Sequence, residues 1–327
     1  MIRFPMKTIL LTNKYTGAPL SIVKSEVPQG FELRFLSEQT QEALTEEACL
    51  ADYILAGGRL KITKEVLDKA EKLQMIQRSG VGLDALDLDA IRDKGIPLYV
   101  NQGVNAESVA EHALLLMLAC LRRLPAIDGN TKSGVWKKQE QGVRTAELKG
   151  KTVGLIGMGS IAQTLVGLLK PFRVSILYNN LFQMPPEYEK ENNMSFVGLD
   201  RLLSESDLVS IHCALTDETR NLISAESIRR MKPGAILINT ARGEIVDPNA
   251  LAEALSSGKL SYAGLDVHVK EPIPEDYPLK GVENVILTPH IAGVTADSFR
   301  AMMHDAFRNI ACFDSGRLEE IAPYKYL

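Results

Sequence analysis

The stretch Lys151-Thr-Val-Gly-Leu-Ile-Gly157-Met-Gly159-Ser-Ile-Ala162-Gln163 predicts a short buried strand, a glycine-rich turn and the start of a helix. Gly157 permits a tight turn, and Gly159 lets the backbone approach a pyrophosphate because it has no Cβ. The helix that begins near Ser160 would offer free N–H groups and the positive end of its dipole to that anion. Ala162 is small enough for close packing of helix on strand. The stretch therefore indicates a dinucleotide-binding turn, although a glycine-rich βα connection can also serve only to close a loop.

The strand predicted to follow this turn bears on the choice of cofactor. It covers Val174–Tyr178 and is followed by Asn179 and Asn180, where an acidic residue commonly binds the ribose hydroxyls. Asparagine can form a hydrogen bond with ribose but does not repel a 2′-phosphate, and no arginine stands beside this pair. The sequence therefore leaves the choice between NAD and NADP open.

The composition argues against several functional classes. At 327 residues the chain is long enough for two domains with separate cores. Its net charge of −4 gives no basic surface in bulk, so nucleic acid is not an expected partner. The four cysteines are scattered without a CxxC pair, which argues against a zinc site or disulfides and favours reduced thiols. We therefore expect a cytoplasmic protein without a metal site.

Nothing in the sequence suggests insertion into a membrane. The longest apolar run, Ala113–Leu121, has about nine residues, whereas a helix needs about 20 to cross a bilayer. Residues Met1–Lys7 contain no apolar run followed by a small-residue cleavage site, so we expect no leader peptide and no membrane partner.

Short apolar runs alternate with segments of helical period along the chain, which is the pattern of βα units on a parallel sheet. A first series ends near Asn101 and a second begins at Thr152. Between them, Ala106–Leu124 predicts an apolar helix, and 125–150 a surface arm. The only tryptophan, Trp136, lies in this arm; it either contacts another subunit or packs within its own chain, and we favour the second interpretation. The predicted strands include Phe31–Phe35, Tyr53–Ala56, Ala235–Asn239, Tyr262–Val267 and Val285–Thr288.

Three predicted strands of the second series are followed by residues of types that are common in catalytic sites. They are Arg242 in Thr240-Ala-Arg-Gly243, Glu271 in His268-Val-Lys-Glu-Pro272, and His290 in Thr288-Pro-His-Ile-Ala-Gly293. A planar cation, a carboxylate and a histidine at one edge of a sheet suit a carbonyl or alcohol bound beside a nicotinamide. Taken singly, each side chain also fits an ordinary surface loop. Their appearance at successive strand ends favours a catalytic group.

Motifs spread over residues 78 to 293 resemble those of the D-isomer-specific 2-hydroxyacid dehydrogenases, a family that includes D-3-phosphoglycerate dehydrogenases and glyoxylate/hydroxypyruvate reductases. The combination of six motifs is highly specific. The matching motifs are Arg78-Ser-Gly-Val-Gly-Leu-Asp84, Ser108-Val-Ala-Glu-His112, Leu148-Lys-Gly-Lys-Thr-Val-Gly-Leu-Ile-Gly-Met-Gly159, Asn239-Thr-Ala-Arg-Gly243, Gly264-Leu-Asp-Val267 with Glu271-Pro272, and Thr288-Pro-His290.

The resemblance implies how the three strand-end residues work. His290 would give a proton to the carbonyl oxygen during reduction, or take it from the hydroxyl during oxidation, while hydride moves to or from the nicotinamide. Glu271 would favour the protonated imidazole, so reduction should be fastest at lower pH. Arg242 would hold the substrate carboxylate and polarise the carbonyl. A carboxylate at position 271 indicates a hydroxyacid substrate, since formate-oxidising relatives carry an amide there.

The resemblance also implies the remaining site residues. Backbone N–H groups of Val81 and Gly82 would bind the substrate carboxylate together with Arg242, and Asp266 would bind the carboxamide of the nicotinamide. The implied cofactor site for NAD or NADP comprises Gly157, Gly159, Ser160, Ile161, Asn179, Asn180, Cys213, Thr219, Thr240, Ala241, Asp266, His290 and Gly293.

The family architecture is α/β with two doubly wound parallel-sheet domains. It implies a flavodoxin-like substrate domain made of residues 1–101 and 295–327, into which a Rossmann-type cofactor domain, residues 102–294, is inserted. The active site would lie in the cleft between the two domains, and the expected assembly is a homodimer built around the cofactor domain and its arm.

The expected partner is a small D-2-hydroxyacid or its 2-oxoacid, of the glyoxylate, hydroxypyruvate or phosphoglycerate class. Phosphoglycerate enzymes often carry an arginine after the third strand, where this chain has Ala56-Gly57-Gly58 and only then Arg59. Ala162 and Ala214 replace a glycine and a proline that are usual in the family. The alternative function is a cofactor-sensing protein related to transcriptional corepressors of the same fold. We interpret His112 and His212 as structural, and the sequence offers no partner for His268 or His304.

Overall fold

The computed structural model describes residues 6–327, which form two compact units. The first unit comprises Met1–Asn105 and Val294–Leu327, and the second comprises Ala106–Gly293. The domain boundaries predicted from the sequence are 101/102 and 294/295. Residues 1–5 lie outside the described part of the chain. They include most of Met1–Lys7, the segment on which the expectation of no leader peptide is based.

The first unit contains a five-stranded sheet in which every neighbouring pair is parallel, in the order β2-β1-β3-β4-β5. This is the flavodoxin-like order, as predicted. The strands are β1 (Lys7–Leu11), β2 (Phe31–Phe35), β3 (Tyr53–Ala56), β4 (Met75–Arg78) and β5 (Leu98–Val100). The helices are α1 (Gly17–Glu26), α2 (Gln41–Glu47), α3 (Lys64–Lys69), α4 (Leu88–Asp93) and, from the end of the chain, α13 (Ala296–Asp314).

Helices cover both faces of this sheet, which explains why its central strands β1 and β3 are almost entirely buried. All four residues of β3 are buried. One core cluster combines the sheet with α2, α3 and α4, and the other combines it with α13 through Phe299, Met303 and Phe307. The last helix therefore completes the core of the first unit although it follows the second unit in the sequence.

The second unit contains a seven-stranded parallel sheet in the order β12-β11-β10-β9-β6-β7-β8. Its first six strands in chain order have the Rossmann-type arrangement, as predicted. The strands are β6 (Thr152–Ile156), β7 (Ser175–Asn179), β8 (Met194–Phe196), β9 (Leu208–Ile211), β10 (Ala235–Asn239), β11 (Leu260–Leu265) and β12 (Val285–Leu287). The helices are α5 (Ala106–Arg122), α6 (Leu124–Lys132), α7 (Lys138–Gly142), α8 (Ser160–Leu169), α9 (Pro186–Glu191), α10 (Leu199–Glu205), α11 (Ala225–Arg230) and α12 (Pro248–Ser256).

Helix α5 packs closely on the sheet of the second unit because its inner face is built from small residues and from residues that are not branched at Cβ. Ala110, Ala113, Leu116 and Met117 are all buried there. Strand β11 approaches the helix so closely that a Cβ at Gly264 would lie 3.0 Å from the Cβ of Leu116. Helix α5 thus packs closely on β11, the strand that directly precedes Asp266.

The structure corrects several details of the sequence interpretation. The helix predicted over 106–124 ends at Arg122, because Arg123 adopts a left-handed conformation with φ of 52°. Trp136 is 80% exposed, so the interpretation that it packs within its own chain is wrong. The strand predicted over 262–267 spans Leu260–Leu265, which leaves Asp266 in the loop after it. Among the described residues, no helix is both long enough and apolar enough to cross a membrane.

Candidate active site

The glycine-rich turn lies at the point where the order of strands in the second sheet reverses. Strand β7 follows β6 on one side, and β9 pairs with β6 on the other. Gly157 has φ of +93°, and a Cβ there would come within 2.6 Å of the Cys213 nitrogen in the loop after β9. Only glycine fits this position. In parallel sheets, such a crevice at the carboxyl ends of the strands is the usual place for a dinucleotide.

The start of α8 offers the room that a pyrophosphate requires. Gly159 precedes the helix, and a Cβ built on it would meet no atom within 4 Å. Ser160 is exposed and Ile161 partly buried, whereas Ala162 is completely buried against the sheet. The ten-residue helix α8 presents its first N–H groups at this open position, as an anion-binding helix terminus requires.

The two asparagines at the end of β7 have backbone partners. Asn179 donates from Nδ2 to the Val197 carbonyl at 3.0 Å. Asn180 accepts from the Met158 N–H of the glycine-rich turn at 3.3 Å and donates to the Phe182 carbonyl. Because the side-chain nitrogen of Asn179 is used inside the protein, its side-chain oxygen is the atom that a ribose hydroxyl would contact. Neither asparagine brings a charge that would repel a 2′-phosphate.

The loops after β9 and β10 contain four more residues of the predicted cofactor site. Thr219 holds its own loop, since its hydroxyl donates to the Ala214 carbonyl at 2.7 Å. The Ala241 N–H donates to the Asn239 side chain at 3.0 Å. Thr240 is nine-tenths buried, and its hydroxyl has no hydrogen-bond partner among the described residues. An unsatisfied buried hydroxyl fits a position where a bound ligand supplies the partner. Cys213, the fourth, lies partly buried against Gly157.

Arg242 follows β10 in a loop that is fixed by its neighbours. The Asn239 side chain donates to the Arg242 carbonyl at 2.8 Å, and Arg242 Nη1 donates to the Ala241 carbonyl at 2.7 Å. The next residue, Gly243, packs against the backbone of His268, where any Cβ would come within 2.1 Å of the His268 carbonyl carbon. Close contact between the two loops therefore sets the position of Arg242 next to the segment that carries Glu271.

Glu271 and His290 form the central pair of the site. His290 Nδ1 lies 2.9 Å and 3.1 Å from the two carboxylate oxygens of Glu271, and one of these also accepts the His268 N–H at 3.0 Å. The His290 side chain is 46% exposed, whereas that of Glu271 is 18% exposed. With Nδ1 bonded to Glu271, Nε2 is the ring nitrogen that remains for a ligand.

His290 lies in a strained loop whose backbone N–H groups donate hydrogen bonds to Asp266. Its φ is 58°, a left-handed conformation that is unusual for histidine. The Asp266 carboxylate accepts the Ile291 N–H at 2.9 Å and the Ala292 N–H at 2.8 Å, and its backbone carbonyl accepts the His290 N–H at 2.7 Å. The Asp266 side chain is 1% exposed, so its role in this structure is to hold the loop. The predicted contact between Asp266 and a carboxamide stays a prediction.

Thr288 and His112 extend the hydrogen-bond network of Asp266. The sequence did not indicate these two contacts. Thr288 donates from its hydroxyl to Asp266 at 2.5 Å, and His112 Nε2, on helix α5, lies 3.1 Å from the same hydroxyl. Hydrogen bonds to Thr288 and the buried Asp266 carboxylate thus connect the motif of His112 with the loop that carries His290.

The other histidines have partners that the sequence did not reveal. His268 lies 3.0 Å from the Thr288 carbonyl and 3.3 Å from the Tyr277 hydroxyl. His304 on α13 lies 3.0 Å from Glu26 of α1, a second histidine–carboxylate pair. His212 lies 2.9 Å from the Ser210 hydroxyl, and burial lowers its pKa to about 4, so it is neutral near pH 7.

The residues predicted to bind the substrate carboxylate from the first unit occupy the loop after β4. Val81 is 45% exposed, an unusual place for a large apolar side chain. Arg78 donates from Nε to the Gly82 carbonyl at 2.9 Å and so closes this loop on itself. The loop therefore has a fixed shape that keeps Val81 at the surface of its unit.

The loops of the second unit fit a nicotinamide dinucleotide. They provide an open helix terminus at Gly159, an unsatisfied hydroxyl at Thr240 and a histidine with a free ring nitrogen at the same edge of one sheet. Gly293, the last predicted contact, follows the loop that Asp266 holds. Among residues 6–327, no group of three or more histidine, cysteine or carboxylate side chains has the arrangement of a metal site.

Comparison with known proteins gives a consistent result. The family described as D-isomer specific 2-hydroxyacid dehydrogenase, NAD binding domain, matches residues 114–292. A glyoxylate reductase of Thermofilum pendens is 40% identical over 260 residues, which cover 79% of this chain and 77% of the relative. A hydroxypyruvate reductase of Thermotoga maritima is 37% identical over 270 residues, covering 80% and 86%.

A solved structure supports the same relationship across nearly the whole chain. The D-lactate dehydrogenase of Aquifex aeolicus, solved with NAD and lactic acid, superposes with a TM-score of 0.84 at 30% identity, and the match covers 98% of each chain. The chain therefore belongs to the D-isomer-specific 2-hydroxyacid dehydrogenase family, as a dehydrogenase that binds NAD or NADP and acts on a CH–OH group.

Proposed function

We propose that the protein reduces a small, unphosphorylated 2-oxoacid, such as glyoxylate or hydroxypyruvate, to the corresponding 2-hydroxyacid, with the D configuration wherever C2 of the product is a stereocentre. The observation that carries this proposal is the Glu271–His290 pair, whose free Nε2 is held in a fixed loop at the carboxyl edge of the cofactor-type sheet. The named activities of two relatives, glyoxylate reduction and hydroxypyruvate reduction, support the substrate class.

In the proposed mechanism, His290 is the acid and base. The bound nicotinamide supplies the hydride for C2 of the oxoacid, or accepts it in the reverse direction. His290 donates the proton from Nε2 to the carbonyl oxygen, so that the carbonyl becomes an alcohol. Glu271, bonded to Nδ1, orients the ring so that Nε2 is the nitrogen that transfers the proton.

Arg242 is the proposed anchor of the substrate. A guanidinium can bind a carboxylate with two parallel hydrogen bonds, which also fixes the orientation of the carbonyl beside it. Its positive charge stabilises the oxygen as negative charge develops there during hydride transfer. The backbone N–H groups of Val81 and Gly82 are the proposed second contact to the carboxylate.

The proposed cofactor site keeps the residues named from the sequence. Gly157, Gly159, Ser160 and Ile161 would hold the pyrophosphate at the start of α8, and Asn179 with Asn180 the adenosine ribose. The residues proposed to contact the nicotinamide half of the cofactor are Cys213, Thr219, Thr240, Ala241, Asp266, His290 and Gly293. Because no charge beside Asn179 selects between cofactors, NAD and NADP are both to be tested.

The loop after β3 supports an unphosphorylated substrate. Gly57 exchanges two hydrogen bonds of 2.8 Å with the Thr12 hydroxyl, and a Cβ at Gly57 would come within 2.9 Å of the Asn13 amide. Gly58 has φ of +63°, which disfavours any larger residue. The chain thus has two glycines packed near Asn13 at the point where phosphoglycerate enzymes often carry an arginine.

A homodimer is the proposed assembly. The arm after α5 carries several exposed apolar side chains, including Trp136, Val143 and Leu124. Tryptophan is among the residues most enriched at subunit interfaces, and an exposed cluster of this kind on an arm fits a contact with a second copy.

The proposed function predicts turnover of the purified protein with small 2-oxoacids. Glyoxylate, hydroxypyruvate, pyruvate, 2-oxoisocaproate and 3-phosphohydroxypyruvate are each assayed with NADH and with NADPH by cofactor absorbance. We expect kcat/KM to be highest with glyoxylate or hydroxypyruvate. Highest activity with 3-phosphohydroxypyruvate would contradict the argument from Gly57. Tight cofactor binding without turnover of any substrate would favour the cofactor-sensing alternative.

A further inference from the structure

A cavity of about 490 Å³ lies in the second unit, at the edge opposite the candidate active site. Its walls come from the end of α5, from the segment that leads back to β6, and from the residues at or before the starts of β9, β10, β11 and β12. These are the amino-terminal ends of the parallel strands, whereas Arg242 and His290 follow carboxyl ends. Known dinucleotide sites use the carboxyl edge, so cofactor binding does not explain this cavity.

The cavity is strongly cationic. Arg123, Arg144, Lys151 and Lys232 line it, with Asp207 as the only carboxylate among its lining residues. The surplus of positive charge stands out because the whole chain carries a net charge of −4. Cations gathered around a concave surface raise the local concentration of anions.

Only one of these four cations is neutralised by an ion pair within the described part of the chain. Lys232 donates to Asp207 at 2.8 Å, and the second oxygen of Asp207 accepts the Thr152 N–H at 2.8 Å. Arg123, Arg144 and Lys151 have no carboxylate within 4.0 Å anywhere in residues 6–327. Three positive charges therefore face one cavity with their hydrogen-bonding capacity left for a ligand.

The backbone holds the two arginines on the same side of the cavity. The Ala146 N–H donates to the Leu121 carbonyl at 3.0 Å, which joins the two ends of the arm at its base. The Arg123 N–H donates to the Cys120 carbonyl at 3.1 Å, and Arg123 keeps its left-handed conformation there. Arg123 and Arg144 are thus placed by the base of the arm.

Apolar residues also line the cavity. They include Leu121, Ile236, Leu260 and Tyr262, all buried in the core of the unit. A lining that combines apolar residues with several cations suits a molecule with an organic body and several charged groups. A volume of this size accommodates a small metabolite and is too small for a peptide segment with its side chains.

We propose that this cavity binds a small organic anion with two or more negative charges, held by Arg123, Arg144 and Lys151. The shared chemistry is that of phosphate monoesters and polycarboxylates, both of which form charge-assisted hydrogen bonds with arginine and lysine. The site is separate from the dinucleotide-binding edge, so the anion and the cofactor bind at the same time.

Calorimetric titration of the full chain tests the proposal. The probes are inorganic pyrophosphate and benzene-1,3,5-tricarboxylate, at constant ionic strength and with saturating NAD to occupy the glycine-rich turn. Wild type should bind at least one probe. The double variant Arg144→Gln/Lys151→Gln should bind it about a hundredfold more weakly, from about tenfold for each charge-assisted hydrogen bond that the variant removes. Comparing the affinity for the tricarboxylate with the affinity for pyrophosphate shows whether the site prefers a carboxylate or a phosphate ligand.

Two controls keep the result specific. Lys149→Gln removes an exposed lysine that does not line the cavity and should leave probe affinity unchanged. Arg242→Gln should also bind normally, so a failure of the proposed catalytic function does not affect this test. Binding that persists in the double variant, binding that saturating NAD abolishes, or no binding of either probe would overturn the proposal.

Discussion

His290→Asn should lower kcat for 2-oxoacid reduction by about 10² to 10⁴-fold, because the variant loses the group that transfers the proton. Asparagine is the chosen replacement since it tolerates the left-handed conformation of residue 290 better than other side chains. The affinity for NADH should stay near the wild-type value. Steady-state kinetics with the best substrate, together with NADH titration by fluorescence, measure both quantities.

His304→Asn is the matched control for this variant. His304 also pairs with a carboxylate, Glu26 at 3.0 Å, but it lies on α13, a helix on which no site residue is proposed. Its turnover should equal that of wild type. A His290→Asn enzyme with nearly normal kcat would remove His290 from the role of acid and base.

Arg242→Gln should lower kcat/KM for the 2-oxoacid by about 10² to 10³-fold, as expected when one partner of a buried charge pair is truncated. We expect a raised KM, because the carboxylate anchor acts in the ground state as well as in the transition state, and a lowered kcat, because Arg242 also stabilises the charge that develops on the oxygen. Arg242→Lys should recover only part of it, since lysine cannot form two parallel hydrogen bonds with a carboxylate.

A suitable control for Arg242 is Arg229→Gln, which removes an exposed arginine at the end of α11. It should leave KM unchanged. An Arg242→Gln enzyme that keeps the wild-type KM for oxoacids would show that another group holds the substrate carboxylate.

The positions of the strands could be predicted because most strands of this fold are short apolar runs in the sequence. Strands such as Phe31–Phe35, Tyr53–Ala56 and Ala235–Asn239 agree with the prediction to the residue. Tyr53–Ala56 and Ala235–Asn239 are buried throughout, as expected of parallel strands covered by helices on both faces, so their limits follow the ends of apolar runs. The glycine-rich turn was visible for a similar reason, since Gly157 is required by backbone geometry.

The network beneath His290 could not be predicted, because it depends on how separate elements meet. Thr288 and Asp266 directly follow β12 and β11, and His112 lies on α5; the register between these elements decides that their side chains touch. The exposure of Trp136 was missed because no periodic pattern marks the arm, where neither a helix face nor a strand face specifies burial.

The most direct test of the central claim is the transfer of deuterium from NADH that is labelled at C4 on one face or the other. With hydroxypyruvate, whose reduced product has a stereocentre at C2, one of the two labelled cofactors should place deuterium on C2 of the product, and that product should have the D configuration. An L or racemic product, or a product whose C2 hydrogen comes from water with either label, would contradict direct hydride transfer in the site that Arg242, Glu271 and His290 form.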